Sequence, residues 1–189
     1  MWVIRIRWEL FQRQKIGMVK YYNAMVVFEE IPDEITLAIN ITNCPCHCKG
    51  CHSEFLWEDK GILLTSEELD LLIDKNDGIT TVCFMGGDAE PEVINVLAEY
   101  VHEIKHLKVG WYSGRDSYYK NINFNYFDYI KLGHYDEDLG GLNKETTNQR
   151  LYKLTHTKLD DGVKKIDFED ITSKFCPNCG NKKDWYEGD

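Results

Sequence analysis

The chain has 189 residues, 43% of them hydrophobic and 13% aromatic, enough for one ordinary domain with a real core and a short appendage. A formal net charge of -10 argues against nucleic acid as a partner, since phosphate-tracking surfaces carry a basic stripe, and no apolar run of about 18 residues predicts a membrane span. Arg5, Arg7 and Glu9 interrupt anything resembling a signal peptide, so a cytoplasmic protein is expected, with its seven cysteines reduced and available as metal ligands or catalysts.

In chain order, residues 1–17 precede a second methionine, Met18, and "MVKYYNAMVVF" reads as a natural beginning, which makes 1–17 an N-terminal extension or an upstream start. "EITLAINIT" (34–42) is rich in β-branched residues and predicts a strand running into a cysteine-rich loop. In "LTSEELDLLIDKN", Thr65 or Ser66 can cap a helix whose first turn holds Glu67 and Glu68, with Leu69, Leu71, Leu72 and Ile73 behind. "GITTVCFMGGD" predicts a buried strand ended by a glycine pair. "EPEVINVLAEYVHEIKH" places Val93, Val96, Leu97, Tyr100, Val101 and Ile104 at helical spacing. "LKVGWYSG", "FDYIKLGHY" and "RLYKLT" predict a third, fourth and fifth strand. Strands alternating with helices imply a parallel α/β sheet, whose chemistry sits at the carboxyl ends of the strands. The cysteine loop, Gly86-Gly87-Asp88 and Ser113-Gly114 all fall at such ends.

"TNCPCHCKGCHSEF" (42–55) puts Cys44, Cys46, Cys48 and Cys51 within eight positions. Without Cys46 the spacing is C-x3-C-x2-C, which supplies three thiolates to a cubane cluster and leaves a fourth iron without a protein ligand. Electron-transfer clusters use a fourth cysteine at different spacings. Cys46 reads as a loop thiol without a ligand role, against a swapped ligand or a redox partner. His47 and His52 read as exposed or packing residues sooner than as ligands, and Cys83, inside an apolar strand, as a small buried hydrophobe.

This spacing after a first strand, followed by Gly-Gly-Asp after a second, resembles the radical S-adenosylmethionine superfamily. More closely, "CHCKGCHSEFLW" and "FDYIKLGHYDEDLGGLNKETTNQRLYKL" resemble the activating proteins of anaerobic (class III) ribonucleotide reductase, over about residues 18–172. The resemblance implies a partial, open TIM-like barrel of parallel strands and outer helices as a radical S-adenosylmethionine domain over 18–172, with a short tail at 173–189. It implies a [4Fe-4S] cluster on the catalytic residues Cys44, Cys48 and Cys51. S-adenosylmethionine would chelate the open iron and lie among Gly50, His52, Gly86, Gly87, Asp88, Ser113 and Gly114. The implied reaction is reductive cleavage to a 5′-deoxyadenosyl radical, which makes a glycyl radical on the reductase large subunit. A flavodoxin-like or ferredoxin-like reductant would supply the electron. Asn148 and Gln149 match the family's closing motif without a physical role of their own. The chain departs from the family at "EEIPDE", where a glycine-rich turn is usual, and at Ser53, where Asn is usual.

The tail carries Cys176-x2-Cys179-Gly180, half of a zinc pattern. It is a metal-free tail, a Zn2+ site shared between chains, or a site borrowing Cys46 or histidines. Two other functional readings stand beside the first. One is another small radical S-adenosylmethionine enzyme, deazapurine-forming or acting on pyruvate formate-lyase. The other is a zinc-binding interaction module built on the clustered cysteines.

Overall fold

The computed structural model describes residues 18–159 and 164–175. The expected N-terminal extension and the tail cysteines Cys176 and Cys179 lie outside the described residues. Among the described residues there are eight strands: β1 (Lys20–Val27), β2 (Thr36–Ile41), β3 (Ile62–Leu63), β4 (Thr81–Met85), β5 (Lys108–Tyr112), β6 (Tyr129–Leu132), β7 (Arg150–Lys158) and β8 (Lys164–Asp170). They form one mixed sheet in the order β3-β1-β2-β4-β5-β6-β7-β8. The four central strands, β2, β4, β5 and β6, are parallel.

The outer strands correct the expectation of a purely parallel sheet. Strand β7 runs antiparallel to β6 with Leu132 opposite Arg150. The chain leaves β6 and re-enters β7 at the same end of the sheet, so it needs no crossover helix, and strands joined in this way are antiparallel. The segment that follows Met18 is built into the sheet. Its β1 pairs antiparallel with β2, and the two-residue β3 pairs with β1 in turn.

Two helices cover one face. Helix α1 (Ser66–Asp74) starts where the Thr65 hydroxyl accepts the Glu68 N–H at 3.2 Å. Helix α2 (Pro91–Tyr100) has Pro91 in its first turn, where a missing N–H costs nothing. It widens at its end into a π-turn over Val101–Lys105 and stops at His106, whose φ is 55°. Val93, Ile94, Leu97, Ala98 and Val101 meet the sheet through Leu37, Ile39, Ile41, Val82, Phe84, Val109 and Trp111. Burying one such large side chain fully is worth roughly 1.5–3 kcal/mol. Between β5 and β6 there is a 3-10 turn at Phe124–Tyr126 in place of a helix. There Phe124 packs edge-on to Tyr118 and Phe168, at centroid distances of 5.2 and 5.1 Å, and Phe127 stacks beside Trp111. Aromatic loop residues thus cover what the helices leave open.

The opposite face of the sheet holds a smaller cluster of Ile31, Cys83, Tyr112, Tyr129, Leu151 and Ile171. The period-2 alternation of strand side chains puts them there. Glu34 closes the amino ends of the parallel strands. Its carboxylate accepts the Tyr129 hydroxyl at 2.7 Å, the hydroxyls of Thr80 and Thr81 at 2.5 and 3.1 Å, and the Lys108 ammonium. No helix among the described residues is long and apolar enough to cross a membrane.

Candidate metal centre

The cysteine loop leaves β2 at its carboxyl end and is shaped by its own backbone. Thr42 N–H donates to the Lys20 carbonyl at 2.9 Å, Cys44 N–H to Leu56 at 2.9 Å and Cys51 N–H to Cys48 at 3.2 Å. Gly50 has φ +70°, and a Cβ there would stand 2.8 Å from Glu137 Oε2. The left-handed backbone angle is what favours glycine here. Lys49 pairs with the same Glu137 carboxylate, and His52 meets Tyr135 edge-on at 5.5 Å, so the segment after β6 is fastened over the loop. His47 stacks on Trp57 at 4.9 Å.

All four loop cysteines are free thiols of intermediate burial. Cys44 and Cys46 share a hydrogen bond, which pulls the Cys44 thiol down to about 6. The same bond, with burial, pushes Cys46 up. Burial raises Cys51, which also feels Cys48 and Cys44. The three expected ligands are therefore within electrostatic reach of one another on a single loop. Cys46 has a definite neighbour on the sheet, because its Sγ lies 2.8 Å from where a Cβ on Gly114 would be. A side chain at position 114 would collide with it.

The carboxyl ends of β4 and β5 are bolted together by Asp88, which is 1% exposed. Its Oδ1 accepts the Ser113 hydroxyl at 2.6 Å and its Oδ2 the Gly114 N–H at 2.8 Å. The Arg115 guanidinium donates to the Asp88 carbonyl at 2.7 Å. Gly86 donates its N–H to Tyr112 at 2.9 Å and accepts the Trp111 indole N–H at 2.7 Å. Gly87, at φ +89°, lies where a Cβ would come within 2.5 Å of Ile94 Cδ1, so helix α2 can start against the bare turn. The predicted residues of this turn and of Ser113-Gly114 are thus brought together with the cysteine loop. Ser113 and the Asp88 side chain act as the fasteners of that meeting.

Sequence reasoning missed Lys131, the third residue of β6, which is 8% exposed. Burial lowers its ammonium to about 8, while Asp88, Cys48, Cys46 and Cys51 act to hold it up. The available signal was a lone lysine inside the apolar run "YIKL". Asn148 and Gln149 gain a role here, as Asn148 Nδ2 donates to the His134 carbonyl at 3.0 Å and Gln149 Nε2 to Gly133 at 3.4 Å. They pin the segment that covers the loop. Beside them opens a cavity of about 550 Å³, lined in part by Asp116, His134, Thr146, Asn148 and Arg150.

Three half-buried thiols on one loop are a soft donor set suited to iron–sulfur chemistry. Among the described residues, no three His, Cys, Asp or Glu side chains close on a point tightly enough to hold a single metal ion. A family described as a 4Fe-4S single cluster domain matches residues 35–123, from the start of β2 to the loop after β5. The match supports an iron–sulfur protein with a [4Fe-4S] cluster. Neither the curated proteins nor the solved structures gave a match.

Proposed function

We propose that Cys44, Cys48 and Cys51 hold a [4Fe-4S] cluster as its three protein ligands and that the chain is a radical S-adenosylmethionine enzyme, the activating protein of an anaerobic ribonucleotide reductase. The observation that supports this reading is the meeting of three strand ends. The cysteine loop after β2, Gly86-Gly87-Asp88 after β4 and Ser113-Gly114 after β5 form one site, and with Cys46 taken up in packing against Gly114 three thiols are left for a cluster, one fewer than a closed cluster requires. When bound and reduced, such a cluster supplies the electron that cleaves the sulfonium of S-adenosylmethionine. The parallel strands β2, β4, β5 and β6 are the part assigned to an open barrel with the site at its carboxyl end.

The chain's own residues have distinct parts. Gly86 spends its N–H on Tyr112 and its carbonyl on Trp111, so a ligand carboxylate would be met by the next amides of the turn, at Gly87 and Asp88. Asp88 holds the β4 and β5 ends in register, which fixes where those amides point. Cys46 fills the space against Gly114 and is hydrogen-bonded to Cys44. The segment pinned by Asn148 and Gln149 carries Tyr135 and Glu137, which contact His52 and Lys49 of the loop.

The test is anaerobic. Chain reconstituted with iron and sulfide, reduced and mixed with S-adenosylmethionine and the organism's anaerobic reductase, is expected to give a glycyl doublet in electron paramagnetic resonance. Cleavage of S-adenosylmethionine without that doublet would remove the partner and keep the chemistry. A colourless chain holding zinc after the same treatment would remove both.

A further inference from the structure

Lys131 is an expensive residue to bury. Its strand neighbours Ile130 and Leu132 belong to the helix-side core, so alternation sends Lys131 to the opposite face, with Tyr129 and Tyr112. An ammonium has three N–H donors. Among the described residues its hydrogen-bond acceptor is the Gly133 carbonyl, at 2.6 Å, and no carboxylate lies within ion-pairing distance. An unpaired buried charge costs several kcal/mol, and an apolar side chain of the same length would avoid that cost. The Lys131 carbonyl accepts the Ser113 N–H at 2.9 Å, and the next residue, Gly114, lies against the Cys46 sulfur, so Lys131 sits beside the cysteine loop. Asp88, Cys48, Cys46 and Cys51 act on its ammonium, with Glu30 also in range. Asp88 is already committed to Ser113 and Gly114. Burial pushes the Glu30 carboxyl up, away from its charged form. The negative charge left for Lys131 to balance is the one the cysteine loop would carry once its thiolates hold a cluster.

We propose that Lys131 is the fixed counter-charge of the cluster bound by Cys44, Cys48 and Cys51, a positioning residue that eases its reduction without ligating it. This rests on the iron–sulfur reading of the site. Reduction adds one electron from an external flavodoxin-like or ferredoxin-like donor to the cluster, and a cation held nearby stabilises the added negative charge. The midpoint potential rises in consequence. Because the ammonium is tied to Gly133 at the end of its own strand, its position does not depend on a mobile side chain finding the site.

Three variants of the full chain, reconstituted anaerobically, test this: Lys131→Gln, Lys131→Met and Lys131→Arg. The glutamine keeps a donor for Gly133 and drops the charge, whereas the arginine keeps the charge. Iron and sulfide content are measured first, then the midpoint potential by redox titration followed with electron paramagnetic resonance. Lys131→Gln is expected to bind a full cluster whose midpoint lies more negative. At a fixed potential its reduced-to-oxidised ratio falls on the order of tenfold, the worth of one unit charge acting across about 12 Å at an effective dielectric of about 20. Lys131→Arg stays close to the parent. Cluster loss from the glutamine and methionine variants with retention in the arginine variant also supports the charge role. An unchanged midpoint in fully loaded Lys131→Gln overturns the proposal, as does equal cluster loss from all three variants. A parent chain that takes up no iron–sulfur cluster overturns the reading beneath it as well.

Discussion

Two carboxylates lie buried at opposite ends of the same parallel strands. Glu34 sits at the amino ends and is bound by Tyr129, Thr80, Thr81 and Lys108, residues at or beside the starts of β6, β4 and β5. Asp88 sits at the carboxyl ends, bound by Ser113, Gly114 and Arg115. Each joins strands that are far apart in sequence. At the Glu34 end, hydroxyls and a cation fill the carboxylate and the sheet is sealed. At the Asp88 end the surroundings are glycine turns, thiols and a buried cation with donors to spare. The same chemical device is used for stability at one end and for building a site at the other, as expected where loops after parallel strands carry function.

The largest effect should come from the site end. Replacing Cys44, Cys48 or Cys51 singly with Ala should abolish cluster uptake, measured as bound iron and sulfide and as loss of the brown visible absorption, while the apo chain keeps its far-ultraviolet circular dichroism. If one of the three retains a full cluster, the division of labour drawn above is wrong at its centre.

Glu34→Ala tests the other end. It strands the Tyr129 and Thr81 hydroxyls and should cost about 2–4 kcal/mol in urea unfolding, the half-exposed Lys108 holding the figure below that of a fully buried pair. Acid titration sharpens the point. Burial alone would raise the Glu34 carboxyl, but the bonds from Lys108, Thr80, Tyr129 and Thr81 outweigh it and hold the group below its usual 4.5. A depressed carboxyl contributes stability that is present above its unfolded value and is lost as pH falls through the folded one. The parent chain should therefore lose stability below about pH 4.5, and Glu34→Gln should flatten that part of the curve.

Gly87→Ala comes next. The new methyl would collide with Ile94 at a backbone angle that L-residues avoid, costing about 1–3 kcal/mol by thermal unfolding. Cys46→Ala should be the mildest. A change within about 1 kcal/mol and an unaltered iron content would keep Cys46 as a packing and donor residue. Loss of the cluster would instead make it a ligand.

The central strands and both helices were legible because their signals are local: β-branched runs, helical spacing and a threonine cap. The meeting of the cysteine loop with the two glycine-ended strands was legible too, through the rule about strand ends. The antiparallel flanks were not. Strand direction depends on which end of the sheet the chain returns to, and "GVKKIDFED" carries so many charges that its pairing with β7 leaves little trace in the sequence. Glu34 lay inside "EEIPDE", a stretch noticed only as a departure from a family pattern. Its partners lie 46 to 95 positions away, and no local rule connects them. Lys131 was hidden for the same reason, since one lysine in a strand is ordinary until its neighbours in space are known.

The sheet's two margins carry a consequence for how the chain behaves when concentrated. The outermost strands are β3, only two residues long, and β8, whose Lys164, Lys165, Asp167, Glu169 and Asp170 place charge along nearly its whole length. A second molecule trying to zip its backbone onto either rim would find too short a template on one side and would have to strip water from a row of ions on the other. The described sheet can therefore stay unclosed without inviting fibrous self-association.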